Sequence, residues 1–349
     1  MASIYPHLEC QREILSLIFK PYFTLEESLG PLNAYGPHLA YQRMQAGADI
    51  ESNYLLIQRI MPAAFRAMLA DNIGCAAFGG ISPLTVSPID RSQQWQHLCD
   101  TLLSLGKLTK TQLHALCHVL LTLGYFDYIF FLTQDYSTCQ EGTDEQTAAL
   151  AYMHCSTRYI LCMGNGDYSP DDVRLVAQRA PRRSRSRFLA SSRLLMFYGR
   201  FAHDLDQVEY WREHNLQCLQ DLPLEPNSVY WCILWSRFWR SACFYPLLRK
   251  DYARTFEELK HAEDLARQPH CNTQHEYVLC LANLYPVLQS INRLATIVGD
   301  EKLAFSLSRE MVTLDPWYST AHVDLGTVLM REGDLESAAL SFLRGSLLG

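Results

Sequence analysis

Val298-Gly299-Asp300-Glu301-Lys302-Leu303-Ala304 and Glu332-Gly333-Asp334-Leu335-Glu336-Ser337-Ala338 are two copies of one phrase, set 34 residues apart. Recurrence at that period marks a helix-turn-helix unit, which buries its apolar face only by stacking on its neighbours. In the second copy a first helix is expected from about Ser319 to Arg331, with Leu325-Gly326 at its centre. Gly333-Asp334 makes the turn, and a second helix carries Ala338 and Phe342. Gly326 and Ala338 are small where two helix backbones cross, while Leu325, Leu329 and Phe342 fill the space around the crossing. The Asp334 carboxylate is placed to accept from the free N–H groups of the second helix. These residues predict an all-α chain.

The phrase and its surroundings resemble the tetratricopeptide repeat. That pattern asks for a large residue, Leu-Gly, an aromatic, Gly-Asp, Ala, an aromatic, a small residue and Pro. Here His322 takes the large position, Leu329 the first aromatic one and Gly345 the small one, with Pro316 just before the unit. The preceding copy, residues 285–318, keeps Gly299-Asp300, Ala304 and Leu314-Asp315-Pro316, but has Asn292 for Gly and Ser308 for an aromatic. Residues 285–318 and 319–349 are therefore the two clear repeats of a helix-turn-helix solenoid.

Upstream the same grammar loosens. Lys250-Asp251-Tyr252-Ala253 precedes a helical stretch to Arg267, His203-Asp204 precedes Gln207 to Gln220, and Gly166-Asp167-Tyr168-Ser169-Pro170 precedes Asp171 to Gln178. Ser169 with Asp172 reads as a capping box, and Pro170 as the first helical residue. Gly124-Tyr125-Phe126-Asp127 separates two apolar helical runs, 111–123 and 126–134. From Asp167 the turn aspartates fall at intervals of 37, 47, 49 and 34 residues. A repeat array over residues 91–349 with lengthened helices follows, not a consensus one.

Residues 1–90 are different in kind and read as an N-terminal helical module. Helices are expected at 8–19, 24–33, 37–46 and 50–70, the last carrying Tyr54, Ile57, Ile60, Met61, Phe65 and Met68 at helical spacing. The Gly- and Pro-rich stretch 74–90 is the linker. Its Gly79-Gly80 lacks the lysine and glycine spacing of a phosphate loop.

Composition bounds the function. The chain has 48% hydrophobic and 19% charged residues, as a folded protein does, and a net charge of −7 that argues against nucleic acid as a partner. Residues 1–110 hold eight Lys and Arg against nine Asp and Glu, so no basic recognition helix is evident there. The start Met-Ala-Ser-Ile-Tyr-Pro-His-Leu-Glu lacks the basic and apolar regions of a secretory signal. The 12 cysteines are accordingly read as buried, unpaired thiols in a reducing cytoplasm. The most apolar window, Leu113 to Leu132, contains His114, His118, Gly124 and Asp127, and reads as a buried hairpin, not a membrane span.

Catalytic and metal constellations are weak. His114, Cys117 and His118 share a helical face at i, i+3 and i+4, yet their neighbours look like core; His270, Cys271 and His275 sit at a unit boundary where polar loop residues are expected. No cofactor is expected, and nothing compels an enzyme.

Two surface features stand out. Six arginines, Arg182, Arg183, Arg185, Arg187, Arg193 and Arg200, lie between Pro181 and His203 with no acidic residue among them. They form either a site for an acidic peptide or phosphate, or a solvated face balancing nearby acids. Trp231, Trp235, Phe238 and Trp239 recur at i, i+4, i+7 and i+8, which favours an inter-helix core, or a binding hot spot where part is exposed.

The resemblance itself implies binding, since tetratricopeptide arrays hold a peptide or partner protein in a concave groove lined by the first helix of each unit. Carried onto the two clear copies, the groove positions are Gln289, Arg293 and Thr296 in one, and Thr320, Val323, Thr327 and Arg331 in the other. Arg293 and Arg331 would make the ligand an acidic segment. The final helix, Leu340 to Leu348, carries Phe342, Leu343, Leu347 and Leu348 with no polar capping helix after it, so self-association through this end is expected. The leading reading is a peptide- or protein-binding scaffold. A peptide-responsive regulator with an N-terminal effector module, and an enzyme or accessory factor of peptide modification with its site in that module, are the alternatives.

Overall fold

The computed structural model describes residues 99–123, 125–162, 169–269, 274–314 and 319–348. These fall into two compact units, one holding residues up to Tyr125 together with Gly299–Gly349, the other Phe126–Val298. The expected module at 1–90, its linker, the Gly166-Asp167 turn and His270-Cys271 lie outside the described residues. Among those described there is no strand. No described helix is long and apolar enough to cross a membrane.

In the first unit the helices are α1 (Lys110–Leu123), α11 (Glu301–Leu314), α12 (Ser319–Glu332) and α13 (Leu335–Leu348). The second unit runs through α2 (Phe126–Leu132), α3 (Glu145–Cys162), α4 (Asp171–Arg179), α5 (Arg185–Phe197) and α6 (Leu205–Asp221). It continues with α7 (Val229–Ala242), the short α8 (Phe244–Leu248), α9 (Tyr252–Arg267) and α10 (Gln274–Val298). Within each unit helices pack on their chain neighbours: α4 on α5, α5 on α6, α7 on α9 and α9 on α10 in one, α11 on α12 and α12 on α13 in the other.

One turn device recurs. A left-handed residue stands just before a side chain that caps the following helix; it closes the preceding helix at every one of these turns but that of Asn227, which lies in the loop after α6. The left-handed residues are His203, Asn227, Lys250, Gly299 and Gly333. After four of them the aspartate accepts a backbone N–H: Asp204 from Gln207, Asp251 from Arg254, Asp300 from Leu303 and Asp334 from Ser337, each at 3.1 Å. After Asn227, the Ser228 hydroxyl accepts from Trp231 N–H at 3.2 Å. Asp334 N–H reaches back to the Leu329 carbonyl and Asp251 N–H to the Pro246 carbonyl, the six-to-one bond that closes a helix C-terminus. Gly-Asp is thus one spelling of a motif that the chain also writes His-Asp, Lys-Asp and Asn-Ser.

The α12–α13 crossing is as close as its small residues imply. A Cβ built on Gly326 would lie 2.9 Å from the Phe342 ring, and Ala338 is buried. His322 and Ser308, which stand where the repeat pattern has other residues, are fully buried. The expected capping box at α4 is different. Ser169 accepts weakly from Asp171 N–H and hydrogen-bonds the Asp171 carboxylate, Pro170 precedes the helix, and Asp172 instead forms an ion pair with Arg158 on α3. A charged partner on a neighbouring helix outcompetes a local cap for that carboxylate.

In the second unit Trp211 and Val208 on α6 close over Leu194, Leu195 and Val176, while Phe188, Leu219, Leu234 and Phe238 form a second core cluster. A buried polar clasp fixes α5 against α6: the Asn215 amide donates to the Phe188 carbonyl at 2.9 Å and to Ser191 Oγ at 2.6 Å, and Ser192 donates back to Asn215 Oδ1. Between the same helices, α5 ends in a π-turn, Tyr198–Ala202, where Gly199 lies so near Phe244 that a Cβ would sit 2.5 Å from the ring. Among the described residues no cysteine is in a disulfide, and all but Cys162 are buried.

Candidate functional site

The open cleft with the most distinctive lining lies between α7 and α9 in the second unit. It holds about 420 Å³ and is walled by Trp231, Trp235 and Trp239 from α7, by His261, Asp264 and Leu265 from α9, and by Gln268 just past the end of α9. Spacing explains both walls. Trp231, Trp235 and Trp239 advance four residues at a time, so they stay within about 80° of one another around the helix and run about 12 Å along it. His261, Asp264, Leu265 and Gln268 follow the same i, i+3, i+4, i+7 rule on the facing helix and its C-cap.

The floor is set by a close helix contact. Ser236 donates to the Ala262 carbonyl at 2.7 Å, a bond made across the two helices by a small, buried side chain. Phe238 turns the other way into the core, and Trp235 and Trp239 rest one side on that core. Their remaining faces, and that of Trp231, are left half-buried along the groove. Ring geometry is staggered rather than flat: Trp231 and Trp235 are 5.7 Å apart at 41°, Trp239 and His261 5.4 Å apart at 37°. The stripe therefore belongs in part to each of its two sequence readings, core on one side and open groove on the other. Arg237 and Arg240 are at least about 100° round α7 from the nearest of the three indoles and do not line the cleft.

A second cleft, of about 310 Å³, lies on the other side of Trp239, among Glu209, Arg212, Glu213, Tyr245 and Arg254. Its two arginines are already paired. Arg212 and Arg254 both reach the buried Glu258 carboxylate, at 2.6 and 3.3 Å, and Tyr245 donates to Glu209 at 3.0 Å. Burial nonetheless holds the Glu258 carboxyl above the usual range, with the two guanidiniums pulling it down. This arrangement braces α6 against α9.

The arginine-rich segment is largely spent on internal partners. Arg182 makes a two-pronged pair with Asp221 at 2.8 and 3.3 Å, Arg187 donates to the Ala180 carbonyl, and Arg185 and Arg193 lie over the rings of Tyr230 and Tyr159. Arg183 is exposed, and Arg200, also exposed, lies over Phe201. Of the positions carried over from the repeat pattern, Gln289, Arg293 and Thr296 are on α10 in the second unit, and Thr320, Val323, Thr327 and Arg331 on α12 in the first. Arg293, Val323 and Arg331 are exposed. The Thr296 and Thr327 hydroxyls donate to carbonyls four residues back on their own helices, Asn292 and Val323, at 2.9 and 2.8 Å.

Cys117 of the α1 trio is fully buried, and burial pushes its thiol up to about 12. His154 is buried against Phe130, its ring 4.5 Å away, with Nδ1 3.1 Å from Thr133 Oγ1; burial lowers its pKa. His214, whose Nε2 is 3.1 Å from the Ala177 carbonyl, is lowered for the same reason.

The sequence displayed the tryptophan wall of the groove but not its opposite wall. His261, Asp264, Leu265 and Gln268 look, taken alone, like the polar face of any surface helix, and only the α7–α9 packing brings them opposite the indoles. No protein-family model matches this sequence, and no curated protein matches it.

Proposed function

We propose that this chain is a cytoplasmic helical scaffold of tetratricopeptide type that binds a protein or peptide partner, and that the α7–α9 groove is where it does so. The observation that carries the reading is the half-buried row of Trp231, Trp235 and Trp239 in an open cleft. Indole faces left beside water are costly unless something covers them, and tryptophan is among the residues enriched where binding energy concentrates. The cleft volume also falls within the range of ligand-sized sites. Support for the array comes from the helix-by-helix packing and the recurring capped turn.

The test is affinity capture with the full chain, wild type against Trp231→Leu combined with Trp235→Leu. A partner retained by the wild type and lost by the variant, with the helical circular dichroism of both alike, supports the reading. Partners retained equally by both overturn it.

A second reading has its own observations: Arg293 in the second unit and Arg331 in the first are each exposed, and each by itself suits an acidic group. Arg293→Ala and Arg331→Ala, made singly and together, lower partner affinity wherever the arginine is used, and leave it unchanged where it is not.

A further inference from the structure

Resting on the groove as the binding site, the charge of its lining identifies what enters it. Among the lining residues Asp264 carries the formal charge, and its side chain is 62% exposed at the groove's edge. The other walls are three indoles, the His261 ring, Leu265 and the amide of Gln268. Indole faces carry the negative lobe of the ring quadrupole and attract cations more strongly than any other side-chain ring. The arginines of α7 lie off the groove, and no arginine lines it among the described residues. The neighbouring base on α9 is Lys260, which divides its ammonium between Glu263 at 3.0 Å and Asp264 at 3.2 Å. Lys260 points to these carboxylates on its own helix and does not line the cleft.

We propose that the groove receives a basic side chain of the protein partner, its lysine or arginine head held against Trp231, Trp235 and Trp239 with the Asp264 carboxylate as counter-charge. Lys260 competes for that carboxylate, and so tunes the site from outside it. The three indoles spread over about 12 Å of helix, so the alkyl stem of the incoming residue lies along one ring while its head meets the next.

The test uses N-acetyl-lysine amide, N-acetyl-arginine amide and the neutral N-acetyl-norleucine amide as probes of the full chain, followed by indole fluorescence and indole N–H resonances. The two cationic probes are expected to saturate the tryptophan signals, and norleucine amide to bind about tenfold more weakly. Asp264→Asn, which preserves shape at an exposed position, weakens the cations several-fold and leaves norleucine amide alone. Lys260→Ala tightens the cations. A fold defect alone produces neither selectivity nor an affinity gain. Equal binding of lysine and norleucine amides, or indifference of the cations to Asp264→Asn, overturns the proposal. If partner capture still depends on Trp231 and Trp235 in that event, the groove remains a binding site for an apolar residue, and only its cation preference falls. Raised salt weakens the cationic probes in the expected case, through screening of Asp264.

Discussion

The C-terminal helical pair, α12 and α13, and the α5–α9 stretch of the second unit use the same turn to different ends. In the pair, Gly333 takes the left-handed position, the crossing is made by Gly326 against Phe342, and the two helices have 14 residues each. In the α5–α9 stretch, His203, Asn227 and Lys250 occupy the left-handed positions, a π-turn ends α5, and a short extra helix, α8, is inserted before α9. The aspartate cap survives in both; glycine and regular length do not. Turn geometry is therefore carried by the capping side chain and the bond back to the preceding helix. What glycine adds is relief of strain, and a region can forgo it where packing over-determines the turn.

That comparison can be broken at its two close crossings. Gly199→Ala forces a Cβ onto the Cγ and Cβ atoms of Phe244, near the backbone, and should cost about 3 kcal/mol; Gly326→Ala meets the swinging end of the Phe342 ring and should cost about 1–2 kcal/mol. Amide hydrogen exchange checks both, with protection lost mainly in α5 and α6 for the first and in α12 and α13 for the second. Equal losses would mean that the two crossings are equally rigid. Next in size is the buried clasp. Asn215→Ala leaves the Ser192 hydroxyl without its acceptor and should destabilise by about 2 kcal/mol, read by urea denaturation.

The turns themselves supply a smaller and sharper test. Asp251→Ala and Asp334→Ala should each cost about 1 kcal/mol, because each removes an N-cap. Replacing the left-handed residue should have opposite signs in the two regions: Gly333→Ala destabilises by about 1 kcal/mol, whereas Lys250→Gly and His203→Gly gain up to about 1 kcal/mol. A loss on Lys250→Gly would show that its side chain contributes more than its backbone strain costs.

The smallest effect is a pH dependence in the second unit. His154 and His214 have pKa values below the ordinary 6.5, so each is neutral in the fold at a pH where the unfolded chain is partly protonated. Unfolding then takes up protons, and stability rises with pH through that window. The contribution is present above about pH 6.5 and is lost as the pH falls through the folded values. Thermal melts at pH 7.5 and 5.5 should show the drop, and His154→Gln should reduce it.

Much of this was legible in the chain. The helix limits around Leu335, Tyr252 and Leu205 follow from the capping aspartates, since a cap and an apolar period are both local. The Gly326–Phe342 crossing was legible because the repeat phrase fixes which residues of two adjacent helices meet. Asp172 was misread because local spacing cannot weigh a cap against Arg158 on another helix. The arginine cluster left two readings open, a binding patch or a face balancing nearby acids, for a similar reason: Asp221, Tyr230 and Tyr159, which engage three of its members, are remote in sequence.

What the sequence by itself determined is the all-α class and the positions of the capped turns, because both arise from interactions within a few residues. It also placed three tryptophans on one face of one helix. Only the tertiary structure decided that this face would be shared between core and groove. The Ser236–Ala262 contact sets how deeply α7 beds against α9, and that depth determines which faces of the rings remain open beside Asp264. Spacing along one helix says which side chains travel together; how much of each stays uncovered depends on the helix packed against it.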